Sequence, residues 1–163
     1  MPPKTQRAQI DLASEETSLL ATIQLLKKHE GFRGKVYDDK TGVTVGRLPS
    51  GGWPTVGYGV NLSLDELTEK EGEFLLKNRV SLIFLWLDAK FPWFSDLGAG
   101  RKAVVASMVY NMGKGNFLEF KRLIKALSMR DHVAAGEEIT NSDAARKLPQ
   151  RYAELKRIMW TGR

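Results

Sequence analysis

Glu30, Asp39 and Thr55 are the residues of this chain best suited by type and spacing to acid–base chemistry. Glu30 closes a segment of helical periodicity, where the negative end of the helix dipole and nearby apolar surface both disfavour a charged carboxyl. A carboxyl kept protonated in this way can serve as a general acid toward a leaving-group oxygen. Asp39 falls in the polar turn Tyr37-Asp38-Asp39-Lys40-Thr41-Gly42, where ionisation is easy. Two carboxyl groups in opposed environments are what hydrolysis of a glycosidic bond requires, one as acid and the other as base or nucleophile. Thr55 stands between Pro54 and Val56-Gly57-Tyr58-Gly59. Backbone without side chains can approach a ligand closely there, and a hydroxyl can hold a water. For a Glu and an Asp taken at random, the ordinary account is a helix-end residue and a solvated turn residue.

The elements that must position these groups are readable from pattern. Ser14-Glu15-Glu16 has the form of a helix start, and Leu19, Leu20, Ile23 and Leu26 continue at helical spacing until Gly31 and Gly34. From Lys35 to Leu62 the chain is rich in glycine. The short runs Lys35-Val36-Tyr37, Val43-Thr44-Val45 and Thr55-Val56-Gly57-Tyr58 predict a small antiparallel sheet. Thr68-Glu69-Lys70-Glu71 is a capping box that opens a long helix, ended by Pro92. Further helices are predicted at about 100–112, 116–129, 131–139 and 150–160, separated by Gly113, Gly115 and Pro149. The expected class is therefore α+β: a small antiparallel β-hairpin lobe and a larger helical lobe joined by a long helix. One domain over residues 1–163 is expected. Its N-terminal helix and β lobe cover about 14–67, the connecting helix about 68–91 and the C-terminal helical lobe about 93–163. A cleft between two lobes is a natural ligand site.

Composition narrows the chemistry. The chain of 163 residues has no cysteine and two histidines, His29 and His132. Disulfide scaffolds, thiolate zinc sites and cysteine nucleophiles are excluded, and neither a metal nor an organic cofactor is expected. Residues 1–92 hold 12 basic and 12 acidic side chains, whereas residues 93–163 hold 13 and 7, so the second half supplies the whole net charge of +6. Such a surface attracts polyanions: nucleic acid, anionic membrane or an acidic wall polymer. No apolar export segment follows the polar start Met1-Pro2-Pro3-Lys4, and the apolar run from Val80 to Leu87 is too short to span a bilayer.

The order and spacing of several motifs resemble the phage-type lysozymes, endolysins of glycoside hydrolase family 24. These motifs are His29-Glu30-Gly31, Tyr37 to Gly42, Thr55 to Asn61, Met108-Val109-Tyr110-Asn111-Met112-Gly113, Asn141-Ser142 and Pro149-Gln150-Arg151. The resemblance implies a lysozyme-like fold with Glu30 as general acid and Asp39 and Thr55 positioning or activating the attacking water. Asp38 is adjacent, but Asp39 has the family spacing. A second Thr-Val-Gly at Thr44-Val45-Gly46 lacks the following glycine, so Thr55 is preferred, and residues 42–54 become an enlarged hairpin. Tyr110 and Asn111 match cleft positions that contact sugar, with half-buried helix packing as the alternative. Asn61 is assigned to the same cleft. Arg151 matches an arginine that approaches the acid, with an exposed helix position as the alternative. The chain departs from the family at Asp143-Ala144 and at Val60, both away from the proposed chemistry.

The resemblance implies a muramidase acting on the β-1,4 bond between N-acetylmuramic acid and N-acetylglucosamine, with net inversion, leading to host lysis. Peptidoglycan is the expected substrate partner, and nucleic acid is not expected as one. A monomer is expected, made in the bacterial host cytoplasm and reaching the wall through a separate holin. Anionic outer-membrane lipid is a further contact for the basic helices. Two alternatives stay open: a lytic transglycosylase needing Glu30 but not Asp39, and a cationic wall- or membrane-binding protein without turnover. His29 is expected to be structural, and of the tryptophans only Trp53 is expected to touch glycan.

Overall fold

The computed structural model describes residues 4–30, 55–56, 60–62 and 66–163, with side chains described from Glu16 to His29, at Leu62 and from Glu66 onward. Among the described residues the elements are helices α1 (Lys4–Glu30), α2 (Glu69–Lys90), α3 (Ala99–Leu118), α4 (Lys121–Ser128), α5 (His132–Thr140), α6 (Asp143–Lys147) and α7 (Pro149–Thr161), with two strands, β1 (Thr55–Val56) and β2 (Val60–Asn61), between α1 and α2 in the chain. The chain divides into two compact units, one made of residues 1–29 and 77–163 and the other of residues 30–76.

The expected α+β class, with its antiparallel β-hairpin lobe, is corrected to a mainly helical one. Among the described residues, β structure is a single antiparallel pairing of two residues per strand, Thr55 opposite Asn61 and Val56 opposite Val60. The runs at 35–37 and 43–45 lie outside the described residues. A pairing this short has too few ladder bonds to stand as a sheet layer. Nor does it supply a core among the described residues, where every buried apolar side chain is Leu25, Leu26 or lies at Val80 and beyond. Apolar surface removed from water drives layer formation, and here that surface belongs to helices.

Helix α1 starts well before Ser14. Residues 4–13 contain neither Gly nor Pro, so nothing in them stops a helix and Ser14 becomes an interior residue. Its second half buries Ser18, Thr22, Leu25 and Leu26, spaced to share one face, and the Thr22 hydroxyl donates to the Ser18 carbonyl oxygen at 2.8 Å. Helix α2 begins at the expected capping box: the backbone N–H of Thr68 donates to the Glu71 carboxylate at 2.8 Å, and the N–H of Glu71 donates back to the Thr68 hydroxyl at 3.3 Å.

Helix α3 is the spine of the helical unit, with every residue from Lys102 to Val109 buried. Gly113 leaves helical geometry at φ 81° and ψ 159°, a backbone conformation that glycine tolerates, and so divides this element into two helical stretches at the expected glycine. Helix α5 packs against α4 and α7, and α7 also contacts α3 and α6. The five-residue α6 was not expected; the Ser142 hydroxyl caps it by accepting from the Ala145 N–H at 3.1 Å. Pro149 opens α7, as its fixed φ and missing N–H favour, and Gly162 closes it at φ 81°.

Six aromatic rings anchor the α2–α3 end of this core. Phe84 meets Phe94 edge-on at 5.4 Å between centroids, Trp86 meets Phe91 at 5.9 Å and Phe117 at 6.5 Å, and Trp93 stacks on Phe91 at 4.9 Å. The far end is closed by Arg101, whose guanidinium donates to the Met159 carbonyl oxygen at 2.9 Å and the Trp160 carbonyl oxygen at 3.1 Å.

Candidate active site

Glu30 is the last residue of α1. The two residues before it both engage one carboxylate on α7: Lys28 Nζ donates to Glu154 Oε1 at 2.5 Å, and His29 Nε2 lies 3.1 Å from Glu154 Oε2. The His29 side chain is 6% exposed and that of Glu154 23%, so the contact is largely shielded from water. The hydrogen bond from Lys28 holds the Glu154 carboxyl below its ordinary value. Partial burial opposes this, and the His29 contact adds to the lowering. The final turn of α1 is thus pinned to α7 immediately before the proposed acid. His29 is buried and engaged by Glu154, the arrangement of a structural residue.

Glu154 was not singled out from sequence. The available signal was its spacing from Arg151, three residues apart on α7 and hence on one helix face. Arg151 is half-buried, and its Nη2 lies 3.5 Å from the Ser107 hydroxyl on α3. Ser107, Tyr110 and Asn111 follow the helical i, i+3, i+4 spacing, so Arg151 reaches the face of α3 that carries the two expected sugar-contact residues. Tyr110 is half-buried and packs against the core, while Asn111 is exposed.

In the smaller unit the ladder brings Thr55 and Asn61 directly opposite one another. Two residues of one sequence motif, both expected in the site, therefore become cross-strand partners. Asp39, and with it Asp38, lies outside the described residues, as do Trp53 and the enlarged 42–54 segment.

A cavity of about 830 Å³ opens at the start of α7, lined in part by Lys28, His29, Lys147, Arg151, Glu154 and Arg157. Among the described residues, no three His, Cys, Asp or Glu side chains gather as they would around a metal ion. No helix among them is long and apolar enough to cross a membrane.

The family model described as phage lysozyme matches residues 27–157, and the chain belongs to that family. It is thereby a peptidoglycan-degrading hydrolase of the lysozyme type. No curated protein matches the chain. The matched span contains Glu30, Asp39, Thr55, Asn61, Tyr110, Asn111 and Arg151.

Proposed function

We propose that this chain is an endolysin that cleaves the β-1,4 bond between N-acetylmuramic acid and N-acetylglucosamine. Glu30 protonates the glycosidic oxygen, while Asp39 and Thr55 hold and activate the water that attacks the anomeric carbon. Asn61, Tyr110 and Asn111 contact the sugars, and Arg151 approaches the acid and keeps its carboxyl in place. The enzyme acts as a monomer on periplasmic peptidoglycan after a separate holin opens the inner membrane, and so brings about host lysis. Its basic helices also touch anionic outer-membrane lipid.

The observation that carries this reading is the position of Glu30, the terminal residue of α1, directly after a turn pinned to α7 through Glu154. A fixed helix end gives a general acid a defined place from which to reach a leaving group, and position is what intramolecular catalysis rewards most. The α1 C-terminus also disfavours charge on a carboxyl there, which keeps the proton available for transfer.

The decisive measurement is turbidity loss on chloroform-treated Gram-negative cells for wild type and Glu30→Gln. The variant is expected to lose clearing by at least about a hundredfold, the usual scale for removing a general acid. Equal clearing by both proteins sinks the catalytic reading and leaves a cationic agent without turnover. The products then separate hydrolysis from transglycosylation: hydrolysis leaves a reducing-end muramic acid, and transglycosylation an anhydro-sugar.

A further inference from the structure

A smaller cavity of the helical unit, about 320 Å³, lies between the turn after α2 and the junction of α4 with α5. Trp93, Asp96, Leu97, Leu127, Arg130 and His132 line it, and none of them takes part in the proposed cleavage. The turn is fixed by buried anchors. Phe91, Phe94 and Leu97 are all buried, and the N–H groups of Phe94 and Leu97 donate to the carbonyl oxygens of Phe91 and Phe94 at 2.9 and 3.1 Å. Trp93 and Asp96 fall between those anchors. Asp96 is therefore exposed, and Trp93 stays half-buried with its ring stacked on Phe91.

The opposite wall has a strained backbone. Helix α4 closes with the Arg130 N–H on the Leu127 carbonyl oxygen at 3.0 Å and the Asp131 N–H on that of Ala126 at 2.9 Å. Such an ending takes a left-handed residue, ordinarily glycine, and here that residue is Arg130 at φ 57°. The position keeps a guanidinium at the cavity, where its Nη2 donates to Asp96 Oδ2 at 2.9 Å. That bond uses one of five guanidinium N–H donors and one of two carboxylate oxygens. Both side chains are exposed, and their remaining donors and acceptor have no partner among the described residues.

Charge and lining select the ligand. The Arg130 and Asp96 charges cancel, and burial together with the Arg101 charge favours the neutral form of His132. A cavity without net charge has little hold on a polyanion. It suits a neutral molecule that both donates and accepts hydrogen bonds. The Trp93 ring offers an apolar platform, and the buried Leu97 and Leu127 give an apolar lining beside it. About 320 Å³ is at the small end of ligand pockets, room for a single sugar ring.

We infer that this cavity holds one neutral N-acetylated sugar unit of the wall glycan. The sugar ring lies against Trp93, its hydroxyl groups meet Asp96 and Arg130, and its acetamido methyl meets Leu97 and Leu127. The inference rests on the proposed peptidoglycan reading and extends it. A second hold on an insoluble strand raises the effective concentration of enzyme at the wall without contributing to bond cleavage.

The test follows the indole N–H resonances of the Glu30→Gln protein by nuclear magnetic resonance as a tetramer of N-acetylglucosamine is added. The Trp93 signal is identified by its absence in Trp93→Phe. It is expected to shift saturably, while the Trp160 signal stays in place. Adding Arg130→Gly is expected to weaken this binding about fivefold, the scale of one or two hydrogen bonds at net strength. Glycine adopts the left-handed conformation without strain, so that variant should melt close to its parent, and its lost binding is not lost folding. Asp96→Asn, which keeps the shape of an exposed side chain, repeats the comparison with a similar expected loss. An unmoved Trp93 signal, or the same midpoint in the parent and both variants, overturns the inference. A stronger Trp93 response to a free acidic stem peptide than to the sugar tetramer also overturns it, assigning the cavity to the peptide branch. Failure of the cleavage reading is seen separately, as absence of reducing-sugar release from sacculi by the chain with Glu30 intact, while the Trp93 titration stays readable.

Discussion

His29 Nε2 and Glu154 Oε2 lie 3.1 Å apart although 125 positions separate them in the chain. With Lys28 on the other carboxylate oxygen, this contact ties the last turn of α1 to the second turn of α7. Glu154 thus holds the last turn of α1 against α7, the turn that in the proposed mechanism leads into the acid.

Replacing Glu154 by Gln is expected to lower stability by about 1 kcal/mol at neutral pH, the scale of a partly shielded ion pair. The Glu154 carboxyl is held below its ordinary value of 4.5, chiefly by Lys28, so the folded state binds its proton less readily than the unfolded state. That contribution is complete above 4.5 and fades as the pH falls through the lowered folded value. Urea unfolding should show a gap between wild type and variant that is full at neutral pH and closes in acid. A gap of constant size would contradict the assignment. In the same variant kcat should fall while KM holds, since the loosened turn misplaces Glu30 without removing a sugar contact.

His132 contributes a second pH dependence, at higher pH. Burial, reinforced by the Arg101 charge, pushes its imidazole below the ordinary 6.5, and its Nδ1 is buried without a hydrogen-bond partner among the described residues. The unfolded chain therefore takes up this proton first, and the stabilising difference, present above 6.5, is lost as pH drops through the lowered folded value. The melting temperature of wild type should decline as the pH falls below 6.5, and His132→Gln should flatten that part of the profile. A variant profile parallel to wild type would refute this.

Thr55→Val keeps the β-branched shape suited to a strand and removes only the hydroxyl. With Thr55 opposite Asn61 in the ladder, the backbone pairing should persist. The expected result is a kcat on purified sacculi lower by about a hundredfold, with KM nearly unchanged, as for loss of a group acting on the attacking water. Full activity in Thr55→Val would remove the hydroxyl from the mechanism.

Gly100→Ala tests how the helical unit closes. A methyl group at Gly100 would collide with the backbone carbonyl of Gly162, which cannot swing aside as a side-chain tip can. Destabilisation of about 1–3 kcal/mol is expected, typical of overpacking. An unchanged midpoint in chemical denaturation would mean that the α3 and α7 ends are not in contact.

Local signals carried most of the helical architecture. The Thr68 and Glu71 box, Pro149 at the start of α7 and the break at Gly113 are each decided by a few neighbouring atoms, and each was legible in the sequence. The β lobe was not, because β-branched runs between glycines report a local preference for extended backbone, while the length of a strand depends on distant partners. Ser14 misled for the related reason that a good cap residue ends nothing when the preceding segment is itself helix-forming. In the site, Gly31 marked where Glu30 ends its helix, yet Glu154 stayed invisible because its role is set wholly by tertiary pairing.

The aromatic cluster also equips the chain with a built-in optical reporter. Trp86 and Trp93 sit among Phe91, Phe94 and Phe117, whereas Trp160 lies at the surface, 41% exposed, with its indole N–H on the Val133 carbonyl oxygen and the Lys156 ammonium over its ring. Trp86 and Trp93 are half-buried, and the Lys114 ammonium lies 5.3 Å from the Trp86 ring centre, so loosening of the cluster changes how far an anionic quencher such as iodide reaches them. Emission from these indoles therefore follows loosening of the helical core without any attached dye.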